Sequence, residues 1–309
     1  MTTATLDRPA AGGGFRRPCR RPGRTALRLA PLLPAVALML VFLAGPVLWS
    51  FYGSLTNQAL TGYKAANPEF VGLDNYAELL TDDGFWKAVV LTVVFVGASA
   101  VIGQNVLGMA LALLLRAAAK PLRAVVSALV VVAWVLPEIV AAFALYAFFS
   151  TDGTLNQVLG WFGLEGPTWL ISVPMLAVIL ANIWRGTAFS MMVYGAALSE
   201  VPPDVTEAAA IDGATGPQRF FRITLPMIRR SISTNLMLTT LQTLAVFTLI
   251  WVMTGGGPGT DSSTLPVLAY QEAFKFAQVG YGTAIATVTL LVGAVFSIVY
   301  IRVLKPEVD

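Results

Sequence analysis

The ionisable side chains that lie inside the apolar stretches of this sequence are Glu138 and Arg185. A charge at the centre of a bilayer costs about 2.5–3.5 kcal/mol or more, so each must face a cavity or a partner. Their similar depth on consecutive apolar stretches suits three chemistries: an ion pair, direct contact with a solute, or a proton relay. Other chemistry is closed off. The sequence contains no histidine, which excludes histidine triads, histidine-ligated metals and histidine relays. Its single cysteine, Cys19, lies in a basic N-terminal tail and allows neither a disulfide framework nor a CxxC site. No nucleophile–base constellation is present, so the chain does not read as an enzyme.

Polar groups of a milder kind also fall in apolar stretches: Gln104, Asn105, Tyr146, Asn182, Ser190, Tyr194, Asn235, Thr239 and Gln242. Each alone reads as an interhelical hydrogen bond, worth about 0.6 kcal/mol on average in a membrane. As a set they could line a hydrophilic path, with Trp184 or Phe247 offering an aromatic face. Aromatic rings beside amides suit a sugar, whose C–H faces stack while its hydroxyls need partners. The expected substrate path comprises Glu138, Tyr146, Asn182, Trp184, Arg185, Tyr194, Gln242 and Phe247.

The elements that must position these residues follow from composition. Hydrophobic residues make up 56% of the 309-residue chain and charged ones only 12%. Soluble domains carry about 25% charged residues, so the deficit points to lipid as solvent. Six apolar segments, near 29–53, 88–115, 124–149, 172–198, 232–253 and 282–303, are each close to the ~20 residues a helix needs to cross a bilayer. The expected fold is therefore all-α and integral to the membrane, with six transmembrane helices. Pro31, Pro34 and Pro46 are expected to kink or shorten the first.

Basic residues set the orientation. They cluster in the tail, at Arg116, Lys120 and Arg123, at Arg219, Arg222, Arg229 and Arg230, and at Arg302 and Lys305, whereas the alternate loops hold only Lys64, Lys87 and Lys275. Both termini are thus expected in the cytoplasm. Residues 1–28, rich in arginine, glycine and proline, cannot bury a core and are expected to be a disordered cytoplasmic tail. A membrane span follows at once, so the tail reads as a topology anchor and not as a nucleic-acid arm. Residues 29–309 are expected to form one six-helix transmembrane domain, with the loop at about 199–231 on the same side as the tail.

Between the spans, residues 70–87 predict a short amphipathic helix with Tyr76, Leu79 and Leu80 on one side. The glycine-rich loop 254–267 is expected to be flexible or tightly turned on the outer face. It lacks the lysine of a phosphate-binding GxxxxGK[ST] loop. Small residues at four-residue spacing, Ser99 with Gly103 and Gly108 with Ala112, predict close helix packing. The longest polar insert, about 199–231, predicts one helix from Pro202–Pro203 to Ile211, a reversal at Asp212–Gly213, and a second helix from Pro217 to Ile223. It would expose Ala208, Ala209 and Ala210.

Within that insert, EAAAIDGA followed by F, ITLP resembles the EAA motif of the permease subunits of ABC importers. The residues that match are Glu207, Ala208, Ala209, Asp212, Gly213, Ala214, Phe220, Ile223, Leu225 and Pro226. VGLDNYAELLTDDGFWKAVVLT (71–92) and MTGGGPGTDSSTLPVLAYQEAF (253–274) resemble the maltose, oligosaccharide and glycerol-3-phosphate branch, specifically the subunit carrying TGGGP. The likeness covers about residues 30–305.

The resemblance implies the type I importer permease fold in a bacterial plasma membrane, and a heteromeric assembly. A second homologous permease would pair with this chain. Two ATPase subunits would dock on Glu207, Ala208, Ala209, Asp212, Gly213, Ala214, Leu225 and Pro226, and they rather than this chain would bind ATP and Mg. An external solute-binding protein would deliver a sugar or sugar-like solute, with Gly255, Gly256, Gly257 and Pro258 as its contact. The chain departs from the family at Arg229, Arg230 and Ser231, where members often carry proline. The alternatives are an ion-coupled secondary transporter, which usually shows internal repeats that are not evident here, and an ABC permease for another small solute.

Overall fold

The computed structural model describes residues 32–304. The expected tail, 1–28, and Lys305 lie outside the described residues. Contacts divide the chain into Met1–Trp49 and Ser50–Asp309. The span α1 (Leu33–Gly53) falls in the first unit as far as Trp49; it begins with Pro34 in its first turn, and a π turn at Leu40–Ala44 precedes Gly45 and Pro46. The wider turn accommodates a proline whose missing N–H and ring would otherwise disrupt the ladder.

In the second unit, the elements are α2 (Asp74–Thr81), α3 (Asp83–Ala117), α4 (Lys120–Val135), α5 (Glu138–Phe149) and α6 (Pro174–Ser199). There follow α7 (Pro203–Ile211), the helical run α8 (216–227), α9 (Arg229–Leu244), α10 (Thr248–Thr254), α11 (Leu265–Tyr270) and α12 (Val279–Leu304). Among the described residues the only β pairing is an isolated bridge, Thr56 with Phe70. Among the described residues four helices, α1, α3, α6 and α12, are each long and apolar enough to span, and two bent pairs bring the total to as many as six.

The bent pairs correct two expected spans. The third, read as one helix over 124–149, is broken: α4 and the helical run Glu138–Trp161 meet at 106°. Proline disfavours the helical region in the residue before it. Leu136 and Pro137 are accordingly both extended, with ψ 136° each, so the helix stops and restarts. The fifth, read as 232–253, bends by 48° between α9 and α10. There Ala245 and Phe247 leave helical geometry although neither proline nor glycine is present. Burial supplies the reason, since Val246 sits in the core with Leu249, Ile250 and Met253.

Asp82 starts α3, its side chain accepting the Gly84 N–H at 2.8 Å. α3 then runs 35 residues, about 50 Å at 1.5 Å per residue, and includes a π stretch at Val96–Gln104. α6 packs along it, α9 crosses the π stretch, α10 packs on α5, and α11 and α9 both lie on α12. α2 does bury Leu79 with partly buried Tyr76, but Leu80 points outward at 65% exposure. Leu80 therefore does not join the buried face, which Asn75 shares instead.

The small residues do what their spacing predicts. A Cβ on Gly108 would lie 2.4 Å from the Ser190 Cβ and 2.9 Å from the Met191 nitrogen of α6. Gly108→Ala is expected to destabilise the fold by about 1–3 kcal/mol through overpacking. Gly97→Ala, on the same helix with nothing within 4 Å, should leave it unchanged. Thermal unfolding of the two variants in detergent checks this; equal midpoints would refute the close contact.

Candidate functional site

The insert forms from local signals. Pro203 opens α7, with Asp204 in the first turn, where a carboxylate complements the helix dipole. The helix closes in a Schellman motif: Ala214 N–H donates to Ala209 O at 2.9 Å, Gly213 N–H donates to Ala210 O at 3.1 Å, and Gly213 has φ 83°. Nothing lies within 4 Å of a Cβ on Gly213, so glycine is required there by backbone conformation and not by space. Thr215 then caps α8 in a capping box with Gln218, whose Oε1 accepts the Thr215 N–H at 2.8 Å. The T-x-x-Q spacing is a sequence signal for that cap.

α7 has no buried residue. Glu207, Ala208 and Ala210 are exposed and Ala209 is half-buried, while Ile211 is 86% exposed. Asp212 is exposed, Ala214 and Leu225 are half-buried, and Pro226 is exposed. The second helix runs on past Ile223, through a π turn at Phe220–Thr224, to Met227 before α9 begins. This hairpin therefore presents small and acidic side chains, and among the described residues none covers Glu207, Ala208, Ala210 or Asp212.

The intramembrane polar residues separate into two groups. One is a buried seam where α3, α6 and α9 meet. Asn235 Nδ2 donates to Asn105 Oδ1 at 2.8 Å and to Ser190 Oγ at 2.9 Å, and Tyr194 Oη bonds Asn105 Oδ1. Asn182 Nδ2 donates to Ser99 Oγ at 2.9 Å and Thr243 Oγ1 at 3.3 Å, while Gln104 Nε2 donates to Asn182 O at 3.1 Å. Asn182 and Tyr194 were expected on a substrate path. Here both are buried and spent on neighbouring helices, the close approach of α3 and α6 at Gly108 bringing those two helices within hydrogen-bonding reach. Thr243, a partner in the seam, carried no signal beyond being polar in an apolar run.

The second group remains accessible. Glu138 Oε2 and Arg185 Nη1 lie 4.0 Å apart, with side chains 32% and 25% exposed. Glu138 Oε1 and Arg185 Nε are buried and have no hydrogen-bond partner among the described residues. The break at Pro137 moves Glu138 from mid-span to the first turn of α5, where the helix dipole favours its charge. Tyr146, Trp184 and Gln242 are exposed. Phe247 is half-buried and belongs to a ladder of rings: it stacks on Trp251 at 5.8 Å and meets Tyr270 at 4.9 Å, and Tyr270 meets Phe274 at 5.1 Å. Trp251, Tyr270 and Phe274 were not legible as a set, since α10 and α11 are separated by the glycine loop.

That loop is tightly built. Gly255, Gly256 and Gly259 have positive φ, and the Gly257–Pro258 peptide is cis. Gln271 Nε2 donates to Gly255 O at 2.9 Å and Ser262 Oγ to Gly257 O at 2.9 Å, and a Lys87–Asp261 ion pair of 2.7 Å ties the loop to α3. Gly256 is buried and Gly255 and Gly257 half-buried, so Pro258 and Gly259 form the accessible tip. At the same end Tyr281 Oη donates to Asp82 at 2.7 Å. At the opposite end of α3, Arg116 Nη1 donates to Leu198 O at 2.9 Å, bringing the 116–123 turn and the exit of α6 together.

Comparison with known proteins places these features in context. Residues 104–309 match the family described as binding-protein-dependent transport system inner membrane component. The trehalose/maltose transport system permease protein MalF of Thermococcus litoralis is 34% identical over 88% of this chain and 91% of that protein. The sulfoquinovosyl glycerol transport system permease protein SmoG of Agrobacterium fabrum is 33% identical over 92% of each. Among solved structures, a chain of the bacterial alginate ABC transporter in complex with alginate pentasaccharide-bound periplasmic protein superimposes with a TM-score of 0.77. It is 25% identical over 93% of this chain and 96% of that chain.

Glu272, beside the loop in the turn Gln271–Lys275, is partly buried. Burial, and then the Asp82 and Glu78 carboxylates, push its pKa above the usual carboxylate range. The folded protein therefore holds a proton that the unfolded chain releases, so stability is full below the unfolded pKa and falls as pH rises through the folded one. Glu272→Gln is expected to match wild type near about pH 4 and to be the more stable near about pH 8. Parallel thermal-stability curves across that window would refute the assignment.

Proposed function

This chain belongs to the family of binding-protein-dependent transport system inner membrane components, and we propose that its cargo is a sugar or sugar-like solute. The cargo class is an oligosaccharide, disaccharide or glycerophosphate-type molecule, moved inward through a bacterial plasma membrane by alternating access. The relatives support this class, being named for trehalose/maltose and sulfoquinovosyl glycerol, and the fold is similar to that of an alginate transporter. The observation that carries the mechanism is the uncovered hairpin of α7 and α8, whose sequence is the EAA-like stretch.

In this reading two ATPase subunits, which bind the ATP and Mg, dock on the hairpin. Ala208 and Ala209 allow close approach, Glu207 and Asp212 pair with cations of the groove, and Gly213 with Ala214 holds the reversal. Leu225 and Pro226 pass the displacement to α9. Nucleotide must favour one state of the bundle by several kcal/mol, since a ligand indifferent to the two states shifts nothing. Basic residues at the hairpin end, Arg116, Lys120 and Arg123 among them, support placing that end and both termini in the cytoplasm.

A second, homologous permease completes the path. The accessible residues Glu138, Tyr146, Trp184, Arg185, Gln242 and Phe247 face the solute, and Asn182 and Tyr194 hold the helices that carry them. The partly exposed carboxylate of Glu138 and guanidinium of Arg185 offer acceptors and donors to hydroxyls, and the Phe247 ladder offers faces to C–H groups. The Gly255–Pro258 turn, through its tip, meets the solute-binding protein.

Two outcomes test this. With Glu207→Ala or Gly213→Val, ATPase subunits should copurify less well with the permease and solute-stimulated ATP hydrolysis should fall at least about tenfold, equivalent to about 1.4 kcal/mol of activation free energy. Unchanged copurification and hydrolysis would reject the docking role. For the ion pair, Glu138→Gln and Arg185→Gln should each reduce uptake strongly and the double variant little further, because each single variant strands a charge. Additive losses would mean that the two residues act independently.

A further inference from the structure

Where α3 ends, α4 begins and α6 ends lies a cavity of about 270 Å³ that the transport reading does not use. Arg116 and Arg123, both exposed, line it together with Met191, Leu198, Leu115 and Val131. Backbone carbonyls left over at the helix ends anchor the guanidiniums. Arg116 Nη1 donates to Leu198 O at 2.9 Å, and Arg123 donates from Nε to Leu115 O at 2.7 Å and from Nη2 to Arg116 O at 2.8 Å. A guanidinium carries five N–H donors, so several remain on each. Carbonyls offer only partial charge, and among the described residues neither arginine has a salt bridge within 4.0 Å. Two full positive charges therefore share an apolar-walled cavity.

One turn further along the same three helices, away from their ends, is a second cavity of about 430 Å³. Its walls include Leu107, Leu111, Leu129, Val130 and Trp184, so Trp184 borders both this cavity and the expected solute path. The two cavities share a succession of neighbours, Leu111 with Ala112 on α3 and Val130 with Val131 on α4. The sequence of chemistry is cationic at the helix ends and apolar toward mid-span, which is that of an amphiphile with an anionic head.

We propose that these cavities hold one anionic phospholipid of the surrounding bilayer, its phosphodiester between Arg116 and Arg123 and an acyl chain along α4. Guanidiniums bind phosphate oxygens bidentately, and basic pockets between membrane helices recognise such headgroups. A soluble phosphate would meet the same arginines but leave the apolar walls uncovered. The site touches Leu198 and Ser199, the last turn of α6 before the chain passes to α7, so an occupied site braces the approach to the hairpin. The proposal rests on membrane embedding and is independent of the cargo.

The test uses the full chain purified with its assembled partner subunits in mixed micelles, with retained lipid counted by native mass spectrometry. Wild type should retain phosphatidylglycerol over phosphatidylcholine by roughly tenfold, as two arginine contacts allow. Arg116→Gln with Arg123→Gln should abolish the preference. Arg229→Gln with Arg230→Gln, the same charge loss elsewhere, should keep it. Ser127→Trp, which fills the cavity while leaving both arginines, should also abolish it and guards against misfolding of the charge variant. Equal losses in both arginine pairs would reduce the effect to general surface charge and overturn the site. Displacement by glycerol phosphate would assign it to a soluble anion. A preference seen in the isolated chain but absent from the assembly would show that a protein partner covers it. Either result would also overturn the proposal.

Discussion

Where Gly108 of α3 meets Ser190 of α6 there is no room for a methyl group, and that absence lets polar side chains reach across. The hydrocarbon offers no water, so the buried amides Asn105, Asn182 and Asn235 find partners on neighbouring helices. Asn105 accepts from Asn235 of α9 and from Tyr194 of α6, and Asn182 reaches Ser99 and Thr243. Three helices are thus joined by one seam, and the π stretch of α3 aims Ser99 and Gln104 into it.

Against that seam the two broken helices acquire a purpose. Both breaks replace regular backbone with extended or irregular residues at membrane depth, which is tolerated where protein covers it. The first puts Glu138 at a helix start facing Arg185. The second turns Phe247 out of the α9 axis and onto Trp251 and Tyr270. Ionisable and aromatic groups from distant parts of the chain are left accessible together with Gln242, while Asn182 and Tyr194 are consumed by packing.

The ends of the bundle are built differently from its middle. The glycine loop is held by Gln271, Ser262 and the Lys87–Asp261 pair, so its tip is presented by a framework instead of swinging freely. The α7–α8 hairpin relies on local devices, a Schellman turn and a capping box, and buries nothing on α7. An element shaped by its own sequence but uncovered by its own fold is suited to contact with another chain.

Sequence by itself determined the solvent, the approximate spans, the basic asymmetry and the hairpin. These rest on composition and on contacts between near neighbours, such as Gly213 with its left-handed φ; Pro137 disfavours a helical Leu136 by the same local physics, yet the expected third span ran through it. The EAA-like stretch was legible for the same reason. Tertiary structure alone decided which polar residues are spent and which are free. Asn182 and Arg185 lie three residues apart on one helix, yet one faces the α3–α9 seam and the other faces Glu138, and only the placement of neighbouring helices distinguishes them. It also decided the bend at 245–247, where no residue type forbids a helix and burial of Val246 and stacking of Phe247 outweigh the backbone hydrogen bonds given up.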